Sequence, residues 1–283
     1  EYGMDTTHAP ATISQARSVQ LKRYVGARST HEADLLPVEE PLQIRMAGEN
    51  VVVTMRTPGH DEELAAGFLF TEGIISHYGH IESIRHCPDD TSQDAPSPNV
   101  INVTPSERAL VDPRRWRRNL YASSSCGICG KESAAQVVRE FAAVPEGAAI
   151  SLQLLYTLPD KLRESQAGFE QTGGLHAAAL FDVEGNLLIL REDVGRHNAV
   201  DKIVGHALMR GLLPLHNHVM VVTSRASFEI VQKALAAGVT ILATVSAPTS
   251  LAVELAREGG ITLVAFLRQG RCNIYAGEER ILA

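Results

Sequence analysis

The sequence predicts a mixed α/β fold, α+β overall, in which a larger α/β domain follows a smaller strand-rich one. The second half alternates apolar strand-like runs with amphipathic helices joined by short connections, which implies parallel strands with helices on the faces of a sheet. The first part instead shows short strands around turn signals. The 283 residues, 45% hydrophobic and 21% charged, suit one large domain or two modest ones.

Turn and capping signals predict the elements of the first part. Residues 42–46 and 51–56 flank Gly48-Glu49-Asn50, which indicates a hairpin. A helix follows, with Asp61 as its predicted N-cap and an apolar stripe that ends at Leu69. Further predicted elements are strands at residues 81–86 and 99–104 and a helix at residues 131–141. We place the domain boundary so that the domains are 1–145 and 146–283.

The elements of the second part form a regular series. A hairpin, residues 176–181 and 187–191 around Glu184-Gly185-Asn186, leads into an amphipathic helix that includes residues 200–208. The remaining predicted elements are strands at residues 219–223, 240–245 and 261–267 and helices at residues 227–237 and 250–258. In open sheets of this kind, ligands bind beyond the carboxyl ends of the strands.

Charge and hydropathy argue against several classes of protein. A net charge of −7 and a pI near 5.9 argue against nucleic-acid binding. No run approaches the ~20 apolar residues that span a bilayer. Residues 1–30 lack the pattern of a secretory signal, so we expect a cytoplasmic location without a membrane partner. Arginines between residues 108 and 118 indicate either a solvated surface or a docking surface for an acidic partner or a phosphorylated ligand.

The strongest local signal is the C-x-x-C pair Cys126 and Cys129, which follows Ser123-Ser124-Ser125. Serine and glycine predict an accessible loop, and Lys131 at a helix start favours the nucleophilic thiolate. A structural zinc site would need a second ligand pair, and a thioredoxin-like centre would need a buried strand before the loop. Two inert surface cysteines are a further alternative. The interpretation that we favour is a thiol that carries a group such as a persulfide.

Three loops at predicted strand ends supply the candidate binding residues. The first segment, residues 191–202, is unusually polar: nine of its twelve residues are charged, glycine, histidine or asparagine. Helix starts favour anions, and guanidinium groups suit phosphate. The loops therefore predict a cradle for a large phosphorylated ligand. Its candidate residues are Asp193, Arg196, His197, Ser224, Arg225, Phe266, Leu267, Arg268, Gln269, Gly270 and Arg271.

Together these motifs resemble the formate dehydrogenase accessory sulfurtransferase family (FdhD), from about residue 40 to the end. The matching stretches are residues 62–73, the Ser-Cys-Gly-Ile-Cys-Gly loop, and residues 172–176, 191–202, 223–233 and 246–252. The resemblance implies a cytidine-deaminase-like three-layer α/β fold for the larger domain. The zinc signature of the deaminases is absent, so we expect neither zinc nor deamination. Ala265 departs from the glycine expected before Phe266.

The resemblance also implies a function. The family accepts sulfane sulfur from a cysteine desulfurase as a persulfide on the first cysteine of the loop, here Cys126. It passes the sulfur to molybdenum bis(molybdopterin guanine dinucleotide), which is then inserted into formate dehydrogenase. The family's cofactor-binding stretch falls on residues 266–271, where GDP is expected to mimic the bound cofactor, and the family favours a homodimer. A cofactor-holding chaperone and a thiol–disulfide oxidoreductase remain as alternatives.

Overall fold

The computed structural model describes residues 15–88, 96–109, 141–144 and 146–283. It opens with a two-stranded hairpin, β1 (Ala16–Val25) and β2 (Arg28–Pro37), which turns at Gly26. This hairpin was not predicted from the sequence. Most of its side chains are exposed on both faces, so its sequence lacks the apolar alternation that marks a half-buried strand.

A four-stranded sheet follows and packs against the first helix. Its order is β4-β3-β6-β5, where β3 is Glu40–Met46, β4 Glu49–Arg56, β5 Ile81–Pro88 and β6 Pro96–Pro105. Leu42, Ile44 and Met46 are buried at alternate positions and contact the buried residues of helix α1 (Asp61–Thr71). The predicted hairpin, both later strands and this helix are thereby confirmed.

The start of α1 differs from the prediction. The N-cap is His60, in the left-handed conformation with φ 57°, and Asp61 is the first helical residue. The buried Asp61 carboxylate accepts hydrogen bonds from Nε and Nη2 of Arg56, at 3.0 and 2.9 Å. The N-cap prediction is wrong because this buried ion pair takes the carboxylate away from the helix amides.

The second part begins with the short strand β7 (Ile150–Ser151), which pairs in parallel with β14 (Ile281–Leu282). A six-stranded mixed sheet forms the centre of this part. Its order is β13-β12-β11-β10-β8-β9, and β10, β11 and β12 are parallel. The strands are β8 (His176–Phe181), β9 (Leu187–Asp193), β10 (Val219–Val222), β11 (Ile241–Thr244), β12 (Thr262–Arg268) and β13 (Arg271–Ala276). All strands predicted between residues 176 and 267 are confirmed within about two residues, whereas β13 was not predicted.

Helices cover both faces of this sheet. Met220 and Val222 face one helical layer, and Val219 and Val221 face the other, as the alternation of a strand requires. The helices are α2 (Leu152–Leu155), α3 (Leu158–Glu164), α4 (Ala167–Thr172), α5 (Arg196–Met209), α6 (Phe228–Ala236) and α7 (Ser250–Glu258). The first layer contains α5, α6 and α7, and the second contains α2 and α3. The predicted three-layer α/β arrangement is confirmed.

The two parts of the chain meet where α1 crosses α5. Gly67 and Gly205 face each other, and a Cβ atom on Gly67 would lie 1.9 Å from the carbonyl oxygen of Asp201. Arg191, beside this crossing, donates to the Glu63 carboxylate at 2.6 and 2.8 Å. The division at residue 145 stays a prediction, and the described residues on its two sides share this tightly packed interface.

Candidate functional site at the strand ends

The carboxyl ends of the parallel strands open onto a cavity of about 630 Å³. β8 runs antiparallel to β10, so its first residue, His176, lies at the same edge of the sheet. The cavity is lined by Pro159, Asp160, Leu162, Arg163, Gln166, Phe169, Gly173, Gly174, Leu175, His176, Thr223, Val245, Leu267, Arg268 and Gln269. A strand-end cavity is the usual ligand position in open α/β sheets, and the volume is in the range of small-molecule sites.

Three predicted binding residues line this cavity: Leu267, Arg268 and Gln269. The Gln269 side-chain amide donates to the Asp160 carboxylate on the opposite wall. Leu267 is fully buried, whereas Arg268 and Gln269 are exposed at the rim. The structure therefore places the middle of the predicted stretch on the cavity.

Phe266, Gly270 and Arg271 lie around the same turn. Phe266 has φ 53° at an irregular position of β12, and its backbone N–H donates to the Ser246 carbonyl at 3.2 Å. Such a conformation is uncommon for a bulky residue and is found where the surroundings impose it. Gly270, with φ 69°, forms the turn, and across it Arg268 and Arg271 are direct partners in the register.

Arg268 and Arg271 place two positive charges at the same turn. Like charges directly opposite one another on two strands repel. Neither arginine forms an ion pair within the part of the chain that the structure describes. An anion at this turn would remove the repulsion and receive charge-assisted hydrogen bonds.

Most of the polar segment 191–202 binds other parts of the chain. Glu192 accepts hydrogen bonds from the backbone amides of Gly168 and Phe169 at 2.8 Å each, which holds the start of α4. Asn198 donates to the Met55 carbonyl at 2.7 Å. This structural role was not predicted, because polar residues at a strand end suit internal contacts and ligand contacts equally.

Asp193 is fully buried, and its carboxylate is occupied by the protein. Its Oδ2 lies 2.7 Å from Nζ of Lys202, and its Oδ1 accepts from the Gly195 amide at 2.8 Å. The backbone amide of Thr57 also donates to Oδ2, at 3.2 Å. The predicted direct contact of Asp193 with a ligand does not fit this burial. The residue instead positions the loop before α5.

The other predicted residues lie at the same sheet edge but outside the cavity lining. Arg196 and His197 begin α5, and burial lowers the pKa of His197 to about 3, with Lys233 and Arg196 adding to the effect. His197 is therefore uncharged near neutral pH. Ser224 is buried and donates to the Arg225 carbonyl at 3.0 Å, while the Arg225 side chain is exposed.

The wall of the cavity formed by α3 and α4 was not predicted. It contributes Asp160, Arg163, Gln166 and Phe169. Phe169 stacks under the Arg163 guanidinium, whose central carbon lies 4.1 Å from the ring centroid. These helices have seven and six residues, too short for their sequence to show a clear helical period, so no signal in the sequence marked them.

The predicted catalytic cysteines, Cys126 and Cys129, lie outside the described residues, as does most of the helix predicted at 131–141. Cys272 in β13 is described, and burial raises the pKa of its thiol. Residues 15–88, 96–109, 141–144 and 146–283 contain no cluster of three His, Cys, Asp or Glu residues placed to hold a metal ion. No helix among them is long and apolar enough to cross a membrane.

The fold and cavity define a three-layer α/β protein with a ligand-sized site at the ends of its parallel strands. The chain belongs to the FdhD/NarQ family, whose model matches residues 37–282. A relative from Streptomyces avermitilis, named sulfur carrier protein FdhD, is 50% identical over 260 residues, covering 90% of this chain and 92% of the relative. One of the same name from Mycolicibacterium paratuberculosis is 51% identical over 250 residues, covering 88% and 92%.

A solved structure agrees with these relatives. It is the crystal structure of a protein from Desulfotalea psychrophila assigned as a formate dehydrogenase accessory protein. It superposes with a TM-score of 0.73 at 25% identity and covers 95% of this chain and 100% of its own. The predicted family is therefore confirmed.

Proposed function

We propose that this protein is a sulfur carrier that serves formate dehydrogenase. It accepts sulfane sulfur from a cysteine desulfurase as a persulfide on Cys126 and transfers it to molybdenum bis(molybdopterin guanine dinucleotide). The observation that carries the proposal is the C-x-x-C loop in a chain that matches sulfur carrier proteins over about 90% of its length. The cytoplasmic location and the homodimer expected from the sequence belong to the same proposal.

The strand-end cavity supports the binding half of this proposal. The cofactor is a large anion with a phosphorylated nucleotide at each end, and Arg268 and Arg271 form a paired cationic turn at the cavity rim. Arg225 is exposed in the turn after β10, two strands from β12 in the sheet. Guanidinium groups bind phosphate with fixed geometry. These three arginines are therefore assigned to phosphate contact.

The sulfur chemistry requires two thiols. The Cys126 thiolate attacks the terminal sulfur of the desulfurase persulfide, forms a new S–S bond and releases the desulfurase thiolate. Sulfane sulfur must then gain two electrons to leave as sulfide. Attack of the Cys129 thiolate on the inner sulfur of Cys126 supplies them, releases sulfide to the cofactor and leaves a Cys126–Cys129 disulfide. A dithiol reductant restores the pair.

Intact-protein mass spectrometry tests the carrier role after incubation with a cysteine desulfurase and cysteine under non-reducing conditions. We expect the wild type to gain about one sulfur mass, whereas Cys126→Ala gains none. Cys272→Ala is the matched control, because its thiol is half-buried with a raised pKa and is disfavoured as a thiolate. Cys129→Ala is expected to load sulfur but to release sulfide more slowly.

Two other results would redirect the assignment. If the wild type gains no sulfur yet binds the cofactor, the protein is a cofactor-holding chaperone. Turnover of a generic disulfide without nucleotide affinity would instead identify a thiol–disulfide oxidoreductase. Normal sulfide release by Cys129→Ala would remove the resolving role from Cys129.

A further inference from the structure

The interior of the strand-end cavity holds a buried glutamine whose side-chain nitrogen has no partner. Gln166 is only 3% exposed, and its Nε2 forms no hydrogen bond with any part of the chain that the structure describes. Its backbone groups are used: its N–H donates to the Arg163 carbonyl at 3.2 Å, and its carbonyl accepts from the Glu170 amide at 2.9 Å. Buried polar groups are nearly always hydrogen-bonded, so an unpaired amide in a cavity wall indicates a ligand partner.

The other groups deep in the cavity carry no charge. Leu162, Leu175 and Leu267 are buried there. Burial lowers the pKa of His176, with the nearby Arg196 guanidinium adding to the effect, so the imidazole is neutral near pH 7. The Thr223 hydroxyl accepts from the Ala177 amide at 2.9 Å and is engaged by the protein. This interior suits an uncharged part of a ligand.

The rim of the cavity, unlike its interior, carries charged side chains. Arg163 and Arg268 are exposed there, and the pairing of Asp160 with Gln269 spans from one wall to the other. A ligand with a neutral ring system and an anionic tail would match this gradient, with the ring inside and the tail at the rim. The half-buried Phe169 ring lies on the same wall as Gln166 and offers an aromatic surface for a planar group.

We propose that Gln166 is a specificity-determining residue that binds the lactam edge of a fused heterocycle, the ring N–H and adjacent carbonyl that guanine and pterin share. An amide matches this edge, because its oxygen accepts from the ring N–H while its nitrogen donates to the carbonyl. The terminal torsion of glutamine is broad, so the amide can turn to meet the ring. The inference rests on the proposed function, since the cofactor contains both heterocycles.

Calorimetric titration of the full chain with GDP and, separately, with 6-hydroxymethylpterin tests this role. Gln166→Met keeps the length and apolar stem but removes both hydrogen bonds. We expect it to weaken binding of whichever heterocycle the wild type binds about tenfold, the loss expected for one or two neutral hydrogen bonds. Gln153→Met is the matched control, because Gln153 is an exposed glutamine of α2 outside the cavity lining. The Gln153→Met variant should bind each heterocycle with the affinity of the wild type.

Thermal unfolding distinguishes ligand recognition from a structural role. Because Gln166 Nε2 has no partner in the described chain, Gln166→Met should leave the melting temperature unchanged or raise it. A lower melting temperature with unchanged affinity would overturn the inference and leave the proposed function intact. Failure of the wild type to bind either heterocycle would overturn the inference and the cofactor-binding half of the proposed function, whereas the carrier role is tested separately by sulfur loading on Cys126. Binding of one heterocycle only, weakened in Gln166→Met, supports the inference and identifies which ring enters the cavity.

Discussion

At the scale of single residues, the buried pair of Asp193 and Lys202 is the clearest case of charge used for structure. Both side chains have no exposed surface, and Lys202 Nζ also donates to the Thr57 carbonyl at 3.0 Å. The pair therefore joins the end of β9 and the segment after β4 to the second turn of α5. Removing one partner of such a pair leaves an uncompensated buried charge, which costs about 3–5 kcal/mol.

Lys202→Met should consequently lower the free energy of unfolding by about 3–5 kcal/mol, measured by urea denaturation. Combining it with Asp193→Asn should cost less than the sum of the two single changes, because the double variant has no unpaired charge. The exposed Lys22→Met serves as the control. A loss below about 1 kcal/mol for Lys202→Met would show that the pair contributes little.

Residue chemistry explains why the site was predicted only in part. Arg268 and Gln269 sit beside a glycine turn after a strand, and such turns are recognisable in a sequence. Asp193 also lies at the end of a strand and close to a glycine, but its side chain is buried in the protein. Gln166 is the N-cap of the short helix α4 and belongs to no recognisable motif. Sequence patterns therefore located the sheet edge, whereas the direction of each side chain depends on tertiary packing.

At the scale of elements, the crossing of α1 and α5 depends on two glycines. A Cβ on Gly205 would lie 1.8 Å from the Glu63 carbonyl oxygen, closer than any real contact. Gly205→Ala or Gly67→Ala should force the helices apart and destabilise the protein by about 1–3 kcal/mol despite the better helix propensity of alanine. Glu62→Ala, on an exposed position of α1, is the control. Unfolding midpoints equal to that of the wild type would contradict the close crossing.

Some helices and strands could be predicted from the sequence, and others could not. Helix α5 and strands β10, β11 and β12 combine apolar periodicity with clear turn signals. The helix contains the predicted residues 200–208, and the bounds of the three strands agree with the prediction within about two residues. The exposed hairpin of β1 and β2 has no buried face, and α2, α3 and α4 are too short to show a period. Burial over several turns or strand residues is what leaves a readable pattern.

At the scale of the whole molecule, the interface between the two parts predicts cooperative unfolding. α1 is packed between the small sheet and α5, and Lys233 of α6 lies 2.9 Å from Asp201 of α5 and 3.2 Å from Glu72 at the end of α1. Circular dichroism and calorimetry should therefore report one coincident transition. Two separated transitions would show that the parts fold independently, as a division at residue 145 would suggest.

The crossing of α1 and α5 also has a consequence for protein synthesis. Helix α1 ends at Thr71, and the helix that it packs against ends about 140 residues later, at Met209. At a translation rate of about 5–20 residues per second, synthesis of α5 is complete roughly 7 to 28 seconds after synthesis of α1. During that interval the nascent chain presents an uncovered helix face to the ribosome surface and to chaperones.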